Sequence, residues 1–170
     1  MRKSNLVLGI MLIMLLALST NIMAQTVFDT ENFDGLSNGD KIAQNLTTYW
    51  DTWSSNPGSS EDGTASTTQA YSSNNSMKIV EGNDVLLYFK SDKTALSNGH
   101  YYYNHYMYVP GNNIGYFNLQ AVKGNVWGVE VAVYPLSDNS RIEYGDNTVD
   151  IDDYVEEDTW MHFEIEVDLE

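Results

Sequence analysis

The chain contains 170 residues, with 24 acidic against 8 basic side chains, and its formal net charge at pH 7 is −16. Such an acidic protein is repelled by phosphate backbones and anionic lipid surfaces, since those ligands are held through Lys and Arg. Because the sequence contains no cysteine, disulfides, thiol nucleophiles and thiolate metal sites are excluded. Nucleic acid is therefore excluded as a partner.

The first 24 residues have the pattern of an export signal. Arg2 and Lys3 precede an apolar run at residues 6–18, and Ala24 offers a small residue at the cleavage point. A membrane-spanning helix needs about 20 apolar residues, so the pattern favours a signal that is removed. Cleavage would leave 146 residues with 6 basic and 24 acidic side chains, a net charge of −18. We expect this mature protein to be secreted or held at the cell surface, without membrane insertion.

Residues 25–170 are predicted to form one all-β domain. Gly, Asn, Ser, Thr and Asp recur every few residues, and short runs rich in Val, Ile, Tyr, Phe and Trp lie between them. Several of these runs alternate with period two, and none keeps a convincing helical period. In chain order, the predicted strands are residues 27–33, 64–70, 77–80, 85–89, 101–109, 115–121, 127–134 and 160–170.

Alternation in the last three segments predicts which side chains face the core. The inward residues are Phe117, Leu119, Ala121, Trp127, Val129, Val131, Val133, Met161, Phe163, Ile165, Val167 and Leu169. The outward residues are Tyr116, Asn118, Gln120, Glu130, Tyr134, Trp160, His162, Glu164, Glu166, Asp168 and Glu170. A slip of one residue would bury several carboxylates, so the register is strongly fixed.

Four segments resemble the concanavalin A-like, laminin-G-like jelly-roll module of secreted bacterial proteins. They are ENFDG at 31–35, AYSSNNSMKI at 70–79, YNHYMYVPG at 103–111 and DTWMHFEIEVDLE at 158–170. The resemblance implies an antiparallel two-sheet jelly-roll sandwich, in proteins that often continue into a sorting domain for type IX secretion. The chain ends within its most regular predicted strand, which predicts a C-terminally truncated domain with at least one further strand.

The resemblance also implies a protein that binds or hydrolyses sugars. Sugar rings stack on flat side chains, while amides and carboxylates take their hydroxyl groups. The outward residues that offer this mixture are Tyr116, Asn118, Gln120, Glu130, Tyr134 and His162. The alternative is that outward tyrosines are simply good strand formers and the module has only a structural or adhesive role. We expect a non-catalytic module whose partner is carbohydrate or a cell-surface glycan.

The segment Glu166-Val167-Asp168-Leu169-Glu170 is similar to the acidic strand motif of laminarinase and lichenase type β-glucanases. The similarity implies Glu166 as nucleophile, Asp168 as the residue that orients it and Glu170 as acid/base. An ideal strand places Glu166 and Glu170 about 13 Å apart at Cα, whereas a retaining pair needs carboxyl groups about 5 to 5.5 Å apart. The alternative is a solvated acidic face with no catalytic role.

Acidic residues near the first predicted strand suggest a metal site. Glu31 and Asp34 lie where related jelly rolls can carry a structural calcium ion, which prefers six to eight oxygen ligands. A second acidic group lies in the turn-rich segment 146–153. The three histidines have no recognisable zinc spacing. Calcium is therefore the one metal that the sequence suggests, and no other cofactor is expected.

Overall fold

A computed structural model of the chain describes residues 30–72 and 74–169. The predicted signal peptide lies outside the described residues, as do Glu170 and residues 27–29 of the predicted strand 27–33. Contacts between residues separate residues 31–170 as one compact unit, in which all the described strands and helices lie.

The regular secondary structure of this unit is almost entirely β-strand, with one α-helix of four residues among the described residues. In chain order the elements are α1 (Ile42–Asn45), β1 (Trp50–Thr52), β2 (Thr64–Ser66), β3 (Ser76–Lys78), β4 (Val85–Leu87), β5 (His100–Tyr108), β6 (Gly115–Val122), β7 (Val126–Val133), β8 (Arg141–Tyr144), β9 (Asn147–Asp150), a 3₁₀ turn (Asp152–Tyr154) and β10 (Trp160–Asp168). The prediction of an all-β fold is confirmed.

All strand pairs are antiparallel. Three sheets have two strands each, β1 with β4, β2 with β3 and β5 with β10, and the fourth sheet has the order β6-β7-β8-β9. The β5–β10 ladder is the longest, with nine residue pairs from Trp160 opposite Tyr108 to Asp168 opposite His100. This arrangement is consistent with a β-sandwich, and the jelly-roll connectivity stays a prediction.

A first hydrophobic core lies around α1 and the four shortest strands. Its buried residues are Ile42, Ala43, Trp50 and Ala65. A network from Asp34 and Asn75 fixes the loop beside this core. Asp34 accepts hydrogen bonds from the backbone N–H groups of Asn74 and Asn75, and the Asn75 amide donates to the carbonyl groups of Phe33 and Leu36. The ENFDG and AYSSNNSMKI segments therefore contact each other.

A second core lies between the β5–β10 sheet and the four-stranded sheet. Its buried residues are Val109, Val131, Val133 and Met161, and Phe117 and Phe163 pack against them. Alternation predicted the facing of β10 correctly, since Met161, Phe163, Ile165 and Val167 are less exposed than the residues between them. This core packs the two sheets together, and the candidate sites lie on their outer faces.

The strand predictions differ from the structure in several ways: one predicted strand is absent from the described residues, one is too long, three strands were missed and one residue faces the other way. Residues 30–33, the described part of the segment 27–33, form no strand. The prediction over 64–70 is too long, because pairing ends at Ser66. The strands β1, β8 and β9 were not predicted, since three or four residues carry too little alternation to stand out. Ala121 was predicted to face inward, but the ladder skips it and it is exposed.

The prediction that Trp127 faces inward is wrong. Leu119 pairs with Val129, but the next residue, Gln120, pairs with Trp127, so Gly128 is left out of the ladder. A skipped residue reverses the facing of the strand beyond it. Trp127 therefore lies on the same face as Gln120, and its side chain is 48% exposed. A side chain at Gly128 would approach the Leu119 carbonyl oxygen at 3.3 Å, which explains the glycine at this bulge.

Candidate carbohydrate-binding face

The outer face of the four-stranded sheet is the face opposite the second core. Here β6 presents Tyr116, Asn118 and Gln120, and β7 presents Glu130 directly across from Asn118. These residues alternate with Phe117 and Leu119, which face inward. The structure thus brings together four of the six residues that the sequence proposed for sugar binding.

The polar side chains of this face form a hydrogen-bonded ladder along β6. The Gln120 amide donates to Asn118 Oδ1 at 2.9 Å, and the Asn118 amide donates to the Tyr116 hydroxyl at 3.3 Å. The Tyr116 hydroxyl donates to Glu130 Oε2 at 2.6 Å. Partial burial and the bond to Glu130 raise the pKa of Tyr116 to about 12, so its hydroxyl keeps its proton at neutral pH.

The ladder is held at its far end by the β6–β7 hairpin. Gln120 Oε1 accepts a hydrogen bond from the backbone N–H of Gly124 at 2.6 Å. Gly124 lies in the turn with a φ of +70°, a conformation that glycine adopts without strain. With Gln120 fixed on both sides, its amide and the neighbouring Trp127 indole keep a defined spacing on the face.

The opposite end of the face is charged. Arg141 lies across from Ala132, and Glu143 lies across from Glu130. The Arg141 guanidinium bonds to Glu143 and lies 5.7 Å from the centre of the Tyr134 ring. Tyr134, the fifth proposed sugar-binding residue, is therefore connected to this face through Arg141. Sequence reasoning missed Arg141 and Glu143 because it did not predict β8.

The face is open and shallow. A depression between Tyr116, Glu130, Arg141 and Glu143 above Ala132 has a cavity volume of about 30 Å³, far below the roughly 300 to 1,000 Å³ of small-molecule pockets. Tyr116 and Trp127 are about half exposed. Such a surface suits the flat side of an extended ligand better than a small molecule that must be enclosed.

His162, the sixth proposed sugar-binding residue, does not join this face. It lies on β10 and points to the outer side of the β5–β10 sheet, where it stacks on Tyr106 with ring centres 4.7 Å apart. Tyr71 stacks on the same tyrosine and contacts Trp160 edge to face. His162 therefore lies apart from the other five residues, because its strand belongs to another sheet, and its part in sugar binding stays a prediction.

The glucanase-like residues lie on the outer side of the β5–β10 sheet as well. Glu166 accepts a hydrogen bond from the Tyr102 hydroxyl at 3.1 Å, and His100 lies 3.4 Å from both Glu166 and Asp168. The bond to Glu166 raises the pKa of Tyr102. Both carboxylate side chains are more than half exposed. Glu170 lies outside the described residues, so the spacing of the proposed acid/base pair stays untested.

The carboxylates proposed for calcium bind backbone amides. Glu31 Oε1 accepts from the N–H of Phe33 at 2.6 Å, and Asp34 Oδ1 accepts from Asn74 and Asn75 at 3.0 and 3.1 Å. In the 146–153 segment, Asp152 accepts from Ser140 N at 2.7 Å. Across residues 30–72 and 74–169, no group of three or more His, Asp or Glu side chains comes together to hold a metal ion.

Comparisons with known proteins do not identify the chain. No protein-family model, curated protein or solved structure matches it. Within the part of the chain that the structure describes, no helix is long and apolar enough to cross a membrane. The outer faces of the four-stranded sheet and of the β5–β10 sheet are therefore the basis for assigning a function.

Proposed function

We propose that this chain is a secreted, non-catalytic module that binds carbohydrate through the outer face of β6, β7 and β8. The observation that carries the proposal is the position of Trp127. A large aromatic ring lies half exposed on β7, directly across the ladder from Gln120. An exposed indole leaves apolar surface in contact with water, and the free energy of burying that surface is not gained on folding. A ligand that covers the indole would gain it on binding.

The chemistry of the neighbouring groups fits a sugar polymer. Trp127 and Tyr116 offer flat surfaces for the C–H faces of pyranose rings, while Asn118, Gln120 and Glu130 offer donors and acceptors for hydroxyl groups. The mutual hydrogen bonds of these polar groups fix their orientation before a ligand arrives. A preorganised face loses less side-chain entropy on binding.

The acidic net charge of −16 narrows the ligand class. A strongly anionic polysaccharide would be repelled by the protein as a whole. Neutral polysaccharides are free of this cost, so we place neutral glycans, with β-glucans among them, as the ligand class.

The test is binding of the mature chain, residues 25–170, to a glycan array and to insoluble polysaccharides by pull-down. Trp127→Ala and Tyr116→Ala should each weaken binding about tenfold, since one stacked ring is worth about 1 to 1.5 kcal/mol. Tyr154→Ala is the matched control, because Tyr154 is an 81% exposed tyrosine outside the face. Folded protein that binds no glycan would refute the proposal.

The secretion part of the proposal has its own readout. Expression of the full 170-residue chain with its leader should yield an exported protein whose N-terminal residue is Gln25. Retention of the leader on protein in the cell would contradict it. This result is independent of the glycan assay.

A further inference from the structure

His105 is partly buried in the second core, on the side of β6 opposite the proposed binding face. Its ring lies 4.5 Å from the ring of Phe117 on β6 and 5.4 Å from that of Phe163 on β10, measured between ring centres. Tyr103 is the third aromatic neighbour, at 5.2 Å. The nitrogen Nδ1 is buried and has no hydrogen-bond partner among the described residues.

This environment accepts a neutral imidazole and penalises a charged one. A buried cation without a partner loses its hydration, and three aromatic rings cannot replace a carboxylate. Burial, with a smaller contribution from His162, lowers the pKa of His105 from its ordinary value of 6.5 to about 4. Protonation therefore opposes folding.

The groups packed around His105 do not offset that penalty. From β6 the neighbour is Phe117 and from β10 it is Phe163, and neither can titrate. On β5, burial raises the pKa of Tyr103 to about 12, so it stays neutral. His162, on the other side of β10, lowers the pKa of His105 further and so does not offset the penalty.

We propose that His105 makes the packing between β5, β10 and β6 acid-sensitive, so that its protonation loosens the binding face and releases bound carbohydrate. Phe117 transmits the effect, because it contacts His105 on one side of β6 and lies between Tyr116 and Asn118, whose side chains face the other. The release of ligand rests on the proposed function. The acid sensitivity of the packing does not.

The sign of the pH effect follows from the two protonation states. Above about pH 6.5 His105 is neutral in the folded and in the unfolded chain, and its contribution to stability does not change. As the pH falls from 6.5 towards 4, the unfolded chain takes up the proton and the folded chain does not. Between pH 7.5 and 5.0 this should reduce the folding equilibrium constant by roughly 30-fold.

The test compares urea unfolding of the wild type and His105→Phe at pH 7.5 and 5.0. Carboxylates titrate in both proteins, so the difference between them isolates the histidine. We expect the wild type to lose about 30-fold more of its folding equilibrium constant than the variant. Tyr154→Ala, at an 81% exposed side chain outside this core, should keep the pH dependence of the wild type. Equal pH dependence of the wild type and His105→Phe would overturn the proposal.

Two further measurements on the wild type serve if His105→Phe does not fold. An NMR titration of the imidazole should give a midpoint near 4 for His105, and a midpoint near 6.5 would overturn the acid sensitivity. Binding to the best glycan of the array should weaken as the pH falls from 5.0 to 3.5, because His105 of the folded protein takes up its proton in that interval. Equal affinity at pH 5.0 and 3.5 would overturn the release. Absence of binding at both pH values would count against the proposed function and leave the unfolding result valid.

Discussion

Replacing Asp62 by alanine should cost the protein a large share of its stability. Asp62 is fully buried, and its carboxylate accepts three backbone hydrogen bonds, from Ala43 at 2.8 Å, Gln44 at 3.1 Å and Gly58 at 2.9 Å. Ala43 and Gln44 lie in the first turn of α1, where N–H groups have no partner within the helix. The residue before the helix, Lys41, makes no side-chain cap, so Asp62 supplies the cap from a distant loop.

The magnitude follows from the burial of the three donors. The N–H of Ala43 is buried, and leaving it unsatisfied costs about 1 to 3 kcal/mol. The bonds from Gln44 and Gly58 are partly buried, so water replaces them in part and each costs about 0.5 to 1.5 kcal/mol. The sum is about 2 to 6 kcal/mol, and a loss of 3 kcal/mol lowers Tm by roughly 6 to 12 °C in a protein of this size.

The assay is thermal and urea unfolding followed by tryptophan fluorescence, because Trp50 lies in the same core. Asp62→Asn is the matched control, since it keeps the shape and one acceptor oxygen and should fall between the wild type and Asp62→Ala. A loss below about 1 kcal/mol in Asp62→Ala would refute the assignment of Asp62 as the cap of α1.

Three further predictions concern the second core, the glucanase-like segment 166–170 and the calcium hypothesis. Gly115→Ala should destabilise the protein by about 1 to 3 kcal/mol, because the added Cβ would lie 2.7 Å from Met107 Sδ and Val109 Cγ2. Gly35→Ala, with open space around it, is the control, and equal Tm values would contradict this reasoning. Glu166→Gln and the wild type should show the same lack of hydrolysis on laminarin and lichenan, and wild-type activity lost in the variant would restore the glucanase alternative. Excess EDTA should leave Tm unchanged, since Glu31 and Asp34 are occupied by backbone amides, and a fall would reveal a calcium ion that stabilises the native state.

The sequence predicts the long strands well because two-residue alternation is strongest there. In β10 each inward apolar residue is flanked by outward polar or aromatic residues over nine positions. β5, with tyrosines on both of its faces, was predicted from its run of aromatic residues instead. The short strands β1, β8 and β9 are set by contacts with distant segments, such as the pairing of Trp50 with Leu87. No local pattern of three or four residues contains that information.

The candidate face was predictable in part. Alternation correctly placed Tyr116, Asn118 and Glu130 on the outer side, because β6 is regular through Leu119. It failed at Trp127, since it assumed an unbroken period through Gly128. A glycine inside an otherwise regular strand is a signal for a bulge, and that signal would have placed the indole outside. Alternation also gave the outward facing of His162 correctly, but it could not show that this residue lies on a different sheet from Tyr116, because alternation gives the facing of a strand and not the sheet to which it belongs.

The most direct test of the central claim uses the indole N–H signals of the four tryptophans in an NMR titration. The probe is the soluble oligosaccharide with the strongest signal on the glycan array. Trp50 is buried in the first core, and Trp160 lies on the outer side of the β5–β10 sheet. If carbohydrate binds the proposed face, the Trp127 signal shifts as the sugar is added, while those of Trp50 and Trp160 stay in place. A shift of Trp160 with Trp127 unchanged would contradict the account.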